Sequence, residues 1–86
     1  MPRLSAFYGI VITMYWGDHP PPHFHAKYGD HQAVIVIGDG AVHAGSLPRR
    51  ALRLVQVWRT LHVDELHKAW DRAALRGDPG TIEPLP

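Results

Sequence analysis

Residues 23–37 read HFHAKYGDHQAVIVI and carry the pattern that decides the fold, two alternating segments joined by Gly29-Asp30. Alternation of apolar and polar residues with a period of two is typical of a strand with one buried face. A two-residue loop that begins with glycine is typical of a type II′ hairpin turn. We therefore predict two paired antiparallel strands, over residues 23–28 and 32–37, with His25 opposite Val34.

The pattern continues on both sides of this hairpin. Residues 7–16 alternate in the same way and predict a preceding strand. Asp39-Gly40 is a second hairpin signal and predicts a short last strand over residues 41–44, with His43 roughly opposite Val36. Consecutive prolines at positions 20–22 exclude helix and central strand there, because they lack amide donors and have fixed φ angles. The four strands therefore form a predicted antiparallel β-meander.

Past residue 47 the apolar spacing changes to that of amphipathic helices. Residues 48–61 and 63–76 each place their apolar side chains on one helical face. The predicted inward residues are Ala51, Leu54, Val55, Trp58 and Leu61 in the first helix and Leu66, Ala69, Trp70 and Ala73 in the second. Residues 78–86 are rich in proline and predict an extended tail.

The order of these elements predicts an α+β fold, ββββαα, in which a four-stranded antiparallel meander is followed by two α-helices packed on one of its faces. At 86 residues the chain has room for one domain. We predict a single domain over residues 1–86, with the sheet over 7–44, a helical hairpin over 47–76 and the extended tail over 78–86.

One face of the predicted sheet is apolar and needs the helices to cover it, whereas the other face stays open. The apolar face carries Tyr8, Ile10, Ile12, Met14, Phe24, Ala26, Ala33, Ile35 and Ile37. The open face carries Val11, Thr13, Tyr15, His23, His25, Lys27, Gln32, Val34, Val36 and His43. Because three of the open-face residues are valines, we predict that a second copy of this chain, in a homodimer, or another protein covers that face.

Composition narrows the classes of function. The chain has no cysteine, which excludes disulfide scaffolds, thiolate zinc sites and cysteine nucleophiles. Its formal net charge of +1 means that nucleic-acid binding would depend on a local basic patch. The sequence shows no signal peptide or membrane span, so we expect a cytoplasmic protein with no membrane partner. Seven histidines are the unusual feature, and they point to where function should be sought.

The strongest candidate site combines Asp18-His19, before the proline loop, with His23 and His25, after it. The two histidines lie two apart on one strand face, where their side chains can converge on one ion or one phosphate. As a metal site, these imidazoles bind a divalent ion such as zinc with Asp18 or His19 as the third ligand. One coordination position then stays open for catalysis.

The same residues are candidates for metal-free cleavage of RNA. The ordinary histidine pKa of about 6.5 makes the neutral and the protonated form available at neutral pH, so His23 and His25 can act as base and acid. Asp18 or His19 would orient them, and Lys27 is a candidate for phosphate binding. The other candidates for phosphate binding form a basic cluster in the first helix, Arg49, Arg50 and Arg53.

A plainer interpretation needs no chemistry from these side chains. His23 and His25 are then polar residues of a solvent-facing strand, and the basic cluster is a solvated helix face. Under this interpretation the protein is a non-catalytic module that binds a protein or a nucleic acid, with the histidines structural or metal-binding.

Several motifs resemble those of the Domain of Unknown Function 4160 family of small bacterial proteins. They are Phe7-Tyr8-Gly9-Ile10, Asp18-His19, Pro21-Pro22-His23-Phe24-His25-Ala26, Leu47-Pro48-Arg49-Arg50-Ala51-Leu52, and Trp58 with Leu61-His62. By position, the resemblance assigns the family signature to Asp18, His19, Pro21, Pro22, His23, Phe24, His25, Pro48, Arg49 and Arg50. No biochemical activity is established for that family.

The resemblance implies a partner protein from the Domain of Unknown Function 2442 family and a role in a toxin–antitoxin module. Together with the histidine site it supports a first hypothesis, a small ribonuclease-type toxin that acts on RNA. A second hypothesis is the partner-binding half of such a two-gene system, which binds an acidic protein or a nucleic acid without chemistry.

Overall fold

A computed structural model describes residues 3–86 as five strands followed by two helices, and residues 1–2 of the predicted domain lie outside the described residues. The strands are β1 (Arg3–Phe7), β2 (Ile10–Thr13), β3 (His23–Tyr28), β4 (His31–Val36) and β5 (Val42–Ser46). The helices are α1 (Arg49–Leu61) and α2 (Val63–Ala74). The α+β class and the order of sheet before helices are confirmed, whereas the predicted number of four strands is wrong.

The strands pair in chain order, β1-β2-β3-β4-β5, and every neighbouring pair is antiparallel. In the central hairpin His25 lies opposite Val34, which confirms the predicted register. Of the two turn residues, only Gly29 has a positive φ, at 57°, as a type II′ turn requires. The meander topology is therefore confirmed around its central hairpin.

The additional strand arises because a turn interrupts the predicted first strand. Tyr8 and Gly9 have φ angles of 51° and 80°, and two consecutive positive values are typical of a type I′ hairpin. The sheet therefore begins at Arg3 rather than at residue 7. Phe7 lies in the core, with its ring centroid 5.4 Å from that of Trp58, whereas Tyr8, predicted on the apolar face, is exposed. Tyrosine seldom adopts positive φ, so Tyr-Gly is a weak turn signal.

The last strand also differs from its prediction, because it contains a bulge and ends at Ser46 instead of residue 44. Val42 pairs with Ile35 and Ala44 pairs with Val34, so His43 is the extra residue and does not lie opposite Val36 as predicted. All residues of β5 are exposed.

The core lies between the helices and the predicted apolar face of the sheet. It contains Leu4, Phe7, Ile10, Ile12, Met14, Phe24, Ala26, Ala33, Ile35, Ile37, Ala51, Val55, Trp58, Leu66, Ala69, Trp70, Ala73 and Ile82. The helix faces agree with the prediction except at Leu61, which was expected to point inward and is 61% exposed. Leu61 is the last residue of α1, where the chain turns into α2. None of the helices described within residues 3–86 combines the length and the hydrophobicity needed to cross a bilayer.

Residues 78–86 form neither helix nor strand, and they pack along the sheet edge formed by β1. The Ile82 amide donates a hydrogen bond of 2.8 Å to the Leu4 carbonyl, and Ile82 is buried. The Trp58 indole N–H donates to the Glu83 carbonyl at 2.8 Å. The tail thus covers one edge of the sheet.

Candidate functional site

The loop of residues 17–22 is held against the end of α2, which fixes the approach to β3. The Gly17 amide donates to the Ala73 carbonyl at 3.0 Å, and the Trp16 indole N–H donates to the Gly77 carbonyl at 3.0 Å. Gly17 has a φ of 62°, a conformation that glycine adopts without strain. These contacts place Asp18 beside the first residues of β3.

Three side chains from this loop and strand form what we call the Asp–His–His cluster, Asp18, His23 and His25. One potential ligand atom from each of them lies within 4.8 Å of those from the other two. The Asp18 Oδ2 atom is 2.9 Å from His23 Nε2 and 3.5 Å from His25 Nε2. Both histidine rings therefore point at one carboxylate oxygen.

The His23 ring has an oxygen at each nitrogen. Its Nδ1–H donates to the Pro21 carbonyl at 2.7 Å, while Nε2 contacts Asp18 at 2.9 Å. A neutral imidazole has a single N–H, and because His23 donates it to the carbonyl, its Nε2 atom faces the Asp18 carboxylate as a second acceptor. The Trp70 ring packs on the same side chain, at a centroid distance of 5.1 Å. These contacts hold His23 in one orientation.

His25 is bonded differently from His23. Both of its ring nitrogens are buried, and neither has a hydrogen-bond partner among residues 3–86. The 3.5 Å separation from Asp18 is too long for a good hydrogen bond. Tyr15 packs against the ring, at a centroid distance of 4.4 Å and an interplanar angle of 88°. An unsatisfied buried polar group costs about 1–3 kcal/mol, so such a group in a native fold calls for an explanation.

Burial and hydrogen bonding shift the ionisation of two members of the cluster. Burial raises the pKa of Asp18, but the hydrogen bond from the His19 amide and the contacts with His23 and His25 leave that pKa below its ordinary value of 3.8. Burial lowers the pKa of His25 below 6.5; the Asp18 carboxylate opposes this shift, and the charge on His23 adds to it. At neutral pH the cluster therefore combines a carboxylate with a neutral His25.

A groove of about 500 Å³ crosses the open face of the sheet and reaches His25. We call it the sheet groove; its lining residues are Arg3, Gly9, Val11, Thr13, Tyr15, His25, Lys27, Gly29 and Gln32. Two of them are cations, Arg3 and Lys27, and none is a carboxylate. The strand register brings both cations close to His25. Arg3 pairs with Thr13, which pairs with His25, and Lys27 follows His25 by two residues on the same face. The groove therefore has the charge that suits an anion.

The structure selects between the two candidates for a third group beside the histidines. Asp18 is a member of the cluster, whereas the exposed His19 contributes its backbone amide, which donates to Asp18 Oδ1 at 2.8 Å. Lys27 lies beside His25 in the sheet groove. The roles predicted for these residues in catalysis and phosphate binding stay predictions.

The basic cluster of α1 is not brought to the histidines. Arg50 lines a small cleft with Tyr8 and Tyr28, and Tyr28 is the last residue of β3, whereas His23 is its first. Five strand residues span roughly 16 Å, which is further than an arginine side chain reaches. Arg49 and Arg53 lie on exposed turns of the same helix. Arg50 therefore lies at the opposite end of β3 from His23.

Sequence reasoning did not single out three residues that shape the site. Arg3 belongs to the strand that was not predicted, Tyr15 was assigned to the open face without a role, and Trp70 was assigned to the core. The alternation of residues 7–16 already placed Tyr15 on the histidine face. The contact of Trp70 with His23 had no signal in the sequence, because it joins a helix to the end of a strand distant along the chain.

Comparison with known proteins identifies a family for the chain. A family model described as a domain of unknown function, DUF4160, matches residues 9–71, which is more than half of the 86 residues. The chain belongs to the DUF4160 family. The DUF4160 match contains the Asp–His–His cluster and the basic cluster, whereas β1 and the C-terminal tail lie outside it. The searches of curated proteins and of solved structures found no match.

Proposed function

We propose that this DUF4160 protein is the toxin component of a toxin–antitoxin pair and that it cleaves RNA at the Asp–His–His cluster. The observation that carries the proposal is the sheet groove, which presents Arg3 and Lys27, has no carboxylate in its lining, and ends at the unpartnered His25. Clusters of ionisable groups with perturbed pKa values at the end of a groove are typical of active sites.

The groove suits a phosphodiester chain in charge and in shape. Cationic side chains that follow a groove bind the nucleic-acid backbone through its phosphates. Tyr15 packs its ring against His25 within the same groove, and aromatic side chains are common stacking platforms for single-stranded bases. An RNA strand held by Arg3 and Lys27 would pass over His25, which places a phosphodiester beside the cluster.

The proposed substrate and partner are those of a cytoplasmic two-gene module. The resemblance noted above implies a partner from the Domain of Unknown Function 2442 family, which in this proposal neutralises the toxin. The chain's formal net charge of +1 is small, so the partner would have to cover the groove itself to compete with RNA.

One observation favours the alternative, a non-catalytic binding module. The two edges of the sheet differ, because the tail covers β1 whereas every residue of the edge strand β5 is exposed. Exposed edges accept an added strand from a partner. Under this alternative the partner pairs with β5, and the histidines are structural or metal-binding.

Growth of bacteria after induced expression of the chain alone tests the proposal. We expect arrest by the native protein and no arrest by the His23→Ala/His25→Ala double variant. A His31→Ala/His43→Ala double variant is the matched control, because both residues are exposed and lie outside the cluster. Circular dichroism and soluble yield would verify that all three proteins fold.

Purified protein and labelled RNA then separate the two functions. Cleavage that disappears in the cluster variant but persists in the matched control supports the ribonuclease. If the native protein neither arrests growth nor cleaves RNA, while it and the cluster variant bind the same partner equally, the alternative replaces the proposal.

A further inference from the structure

The Asp–His–His cluster has the composition and the geometry of a metal centre with one vacant coordination position. We infer that it binds one divalent first-row transition ion through Asp18 Oδ2, His23 Nε2 and His25 Nε2, and that Zn²⁺ is the ion suited to it. Two imidazoles and one carboxylate are a ligand set that such ions accept.

The separations between the three ligand atoms fit one ion. Zinc lies about 2.0–2.2 Å from histidine nitrogen and carboxylate oxygen, which places the ligands of a tetrahedral site about 3.4 Å apart. Asp18 Oδ2 is 2.9 Å from one histidine nitrogen and 3.5 Å from the other. One ligand atom from each of the three residues lies within 4.8 Å of those from the other two. Small side-chain rotations bring these distances to the values of a bound ion.

The hydrogen bonds around the cluster orient its ligands. His23 Nδ1–H donates to the Pro21 carbonyl, which directs the lone pair of Nε2 at the cluster. Metal-binding histidines typically donate their second N–H to a backbone carbonyl or carboxylate in this way. The His19 amide, in turn, occupies Asp18 Oδ1 and leaves Oδ2 for the ion. Each of the two ligands is thus held by a neighbour that does not itself bind the metal.

The unpartnered nitrogens of His25 are the second observation. A solvent-facing histidine bonds to water, and a structural one bonds to a neighbour, but both nitrogens of His25 are buried with no partner in the part of the chain that the structure describes. A bond from Nε2 to a metal ion gives one of them a partner. The metal ion would also separate two acceptors at His23. With the ring N–H on Nδ1, the lone pair of Nε2 faces Asp18 Oδ2 at 2.9 Å, and a cation between these two atoms binds both.

The solvent-accessible side of the cluster leaves room for a catalytic role of the ion. This part of the inference rests on the proposed function. Asp18 retains 23% of its side-chain exposure, so the cluster is accessible from the loop side. Three protein ligands leave a position for water, as in catalytic zinc sites. In phosphodiester hydrolysis that water loses a proton to solvent, its oxygen bonds to phosphorus, the bond to the leaving oxygen breaks, and the leaving oxygen takes a proton from solvent.

Metal binding is tested by titration of the whole chain, produced without a histidine tag and stripped with a chelator. The probes are Zn²⁺ in calorimetry and Co²⁺ in visible absorption, which reports the coordination geometry. We expect one ion per chain, and a loss of affinity of at least about 10–100-fold in Asp18→Asn and His25→Ala. The control His31→Ala should bind as the native chain does.

The outcomes for the metal and for RNA cleavage are distinguishable. Stoichiometric binding that depends on Asp18 and His25 supports the inference even if no RNA is cleaved, in which case only the proposed function fails. Absence of stoichiometric binding, or equal binding by the native chain and both variants, overturns the inference. Cleavage of RNA that persists in the chelator-stripped protein overturns the catalytic role of the ion and leaves the ribonuclease proposal standing.

Discussion

The two faces of β3 differ in chemistry although their residues alternate along one strand. Phe24 and Ala26 are fully buried between the sheet and the helices, whereas His23 and His25, on the other face, retain ionisable nitrogens. Phe24 packs edge-on to Trp58 at a centroid distance of 5.7 Å, and His25 packs edge-on to Tyr15. Residues that stabilise the core and residues of the candidate site therefore alternate along the same strand.

A second difference lies within the histidine face. His23 and His25 have the same residue type and similar exposure, yet the first has an oxygen at each nitrogen and the second has none. Stability selects for satisfied polar groups, so the unsatisfied histidine is the one that points to a ligand.

The largest effect is expected on the core face. Phe24→Ala removes a fully buried aromatic ring and leaves a cavity, so we expect a loss of about 3–5 kcal/mol in the free energy of unfolding. Urea denaturation measures it. The matched control, Lys27→Ala, lies on the other face of the same strand in an exposed position and should change stability by less than about 0.5 kcal/mol. Equal losses in the two variants would contradict the assignment of the faces.

A smaller effect of the opposite sign is expected at His25. His25→Leu replaces two unsatisfied buried nitrogens with an apolar side chain, so the metal-free protein should gain about 1–2 kcal/mol of stability. The same variant should lose RNA cleavage and metal binding. A marked loss of stability in urea denaturation would instead identify His25 as a structural residue.

The attachment of the tail to the core is expected to contribute less. Trp58→Phe keeps an aromatic ring in the core but removes the indole N–H that donates to the Glu83 carbonyl. Loss of this hydrogen bond should lower the free energy of unfolding by about 1 kcal/mol, and the smaller ring should lower it further. Hydrogen exchange at the Ile82 amide, which is bonded to Leu4, would report the loosened tail. Unchanged protection of that amide would show that the tail is held by other contacts.

The smallest expected effect is a pH dependence of stability in the metal-free protein. Because burial depresses the pKa of His25 in the folded state, the unfolded chain binds the proton more readily, and protonation favours unfolding. Stability is therefore complete above the ordinary pKa near 6.5 and declines as the pH falls through the folded-state value. Urea denaturation between about pH 7 and 5 should show a decline that is weaker in His25→Leu. If the free energy of unfolding falls equally with pH in the native protein and in His25→Leu, the pH dependence does not come from His25.

Local signals were sufficient for the centre of the sheet and insufficient at its edges. Gly29-Asp30 and the alternation around it predicted the pairing of His25 with Val34, because a two-residue turn sets the register of both strands. The turn at Tyr8 and Gly9 was missed, since tyrosine at positive φ is stabilised here by a distant contact, the hydrogen bond from its hydroxyl to the Pro86 carbonyl. The bulge that displaces His43 was missed because the residues around it, Val42 and Ala44, include no glycine to mark an irregular strand.

That His23 and His25 share the face opposite the core follows from local sequence, because the strand period of two is a property of the backbone. The groups that join them depend on long-range packing. The loop of residues 17–22 is anchored to α2 by Gly17 and Ala73, which are far apart in the chain, and this anchoring places Asp18 rather than His19 at the histidines. The tertiary structure also placed Arg50 at the opposite end of β3, because the packing of α1 on the core, and not the spacing of its arginines, fixes where that helix begins.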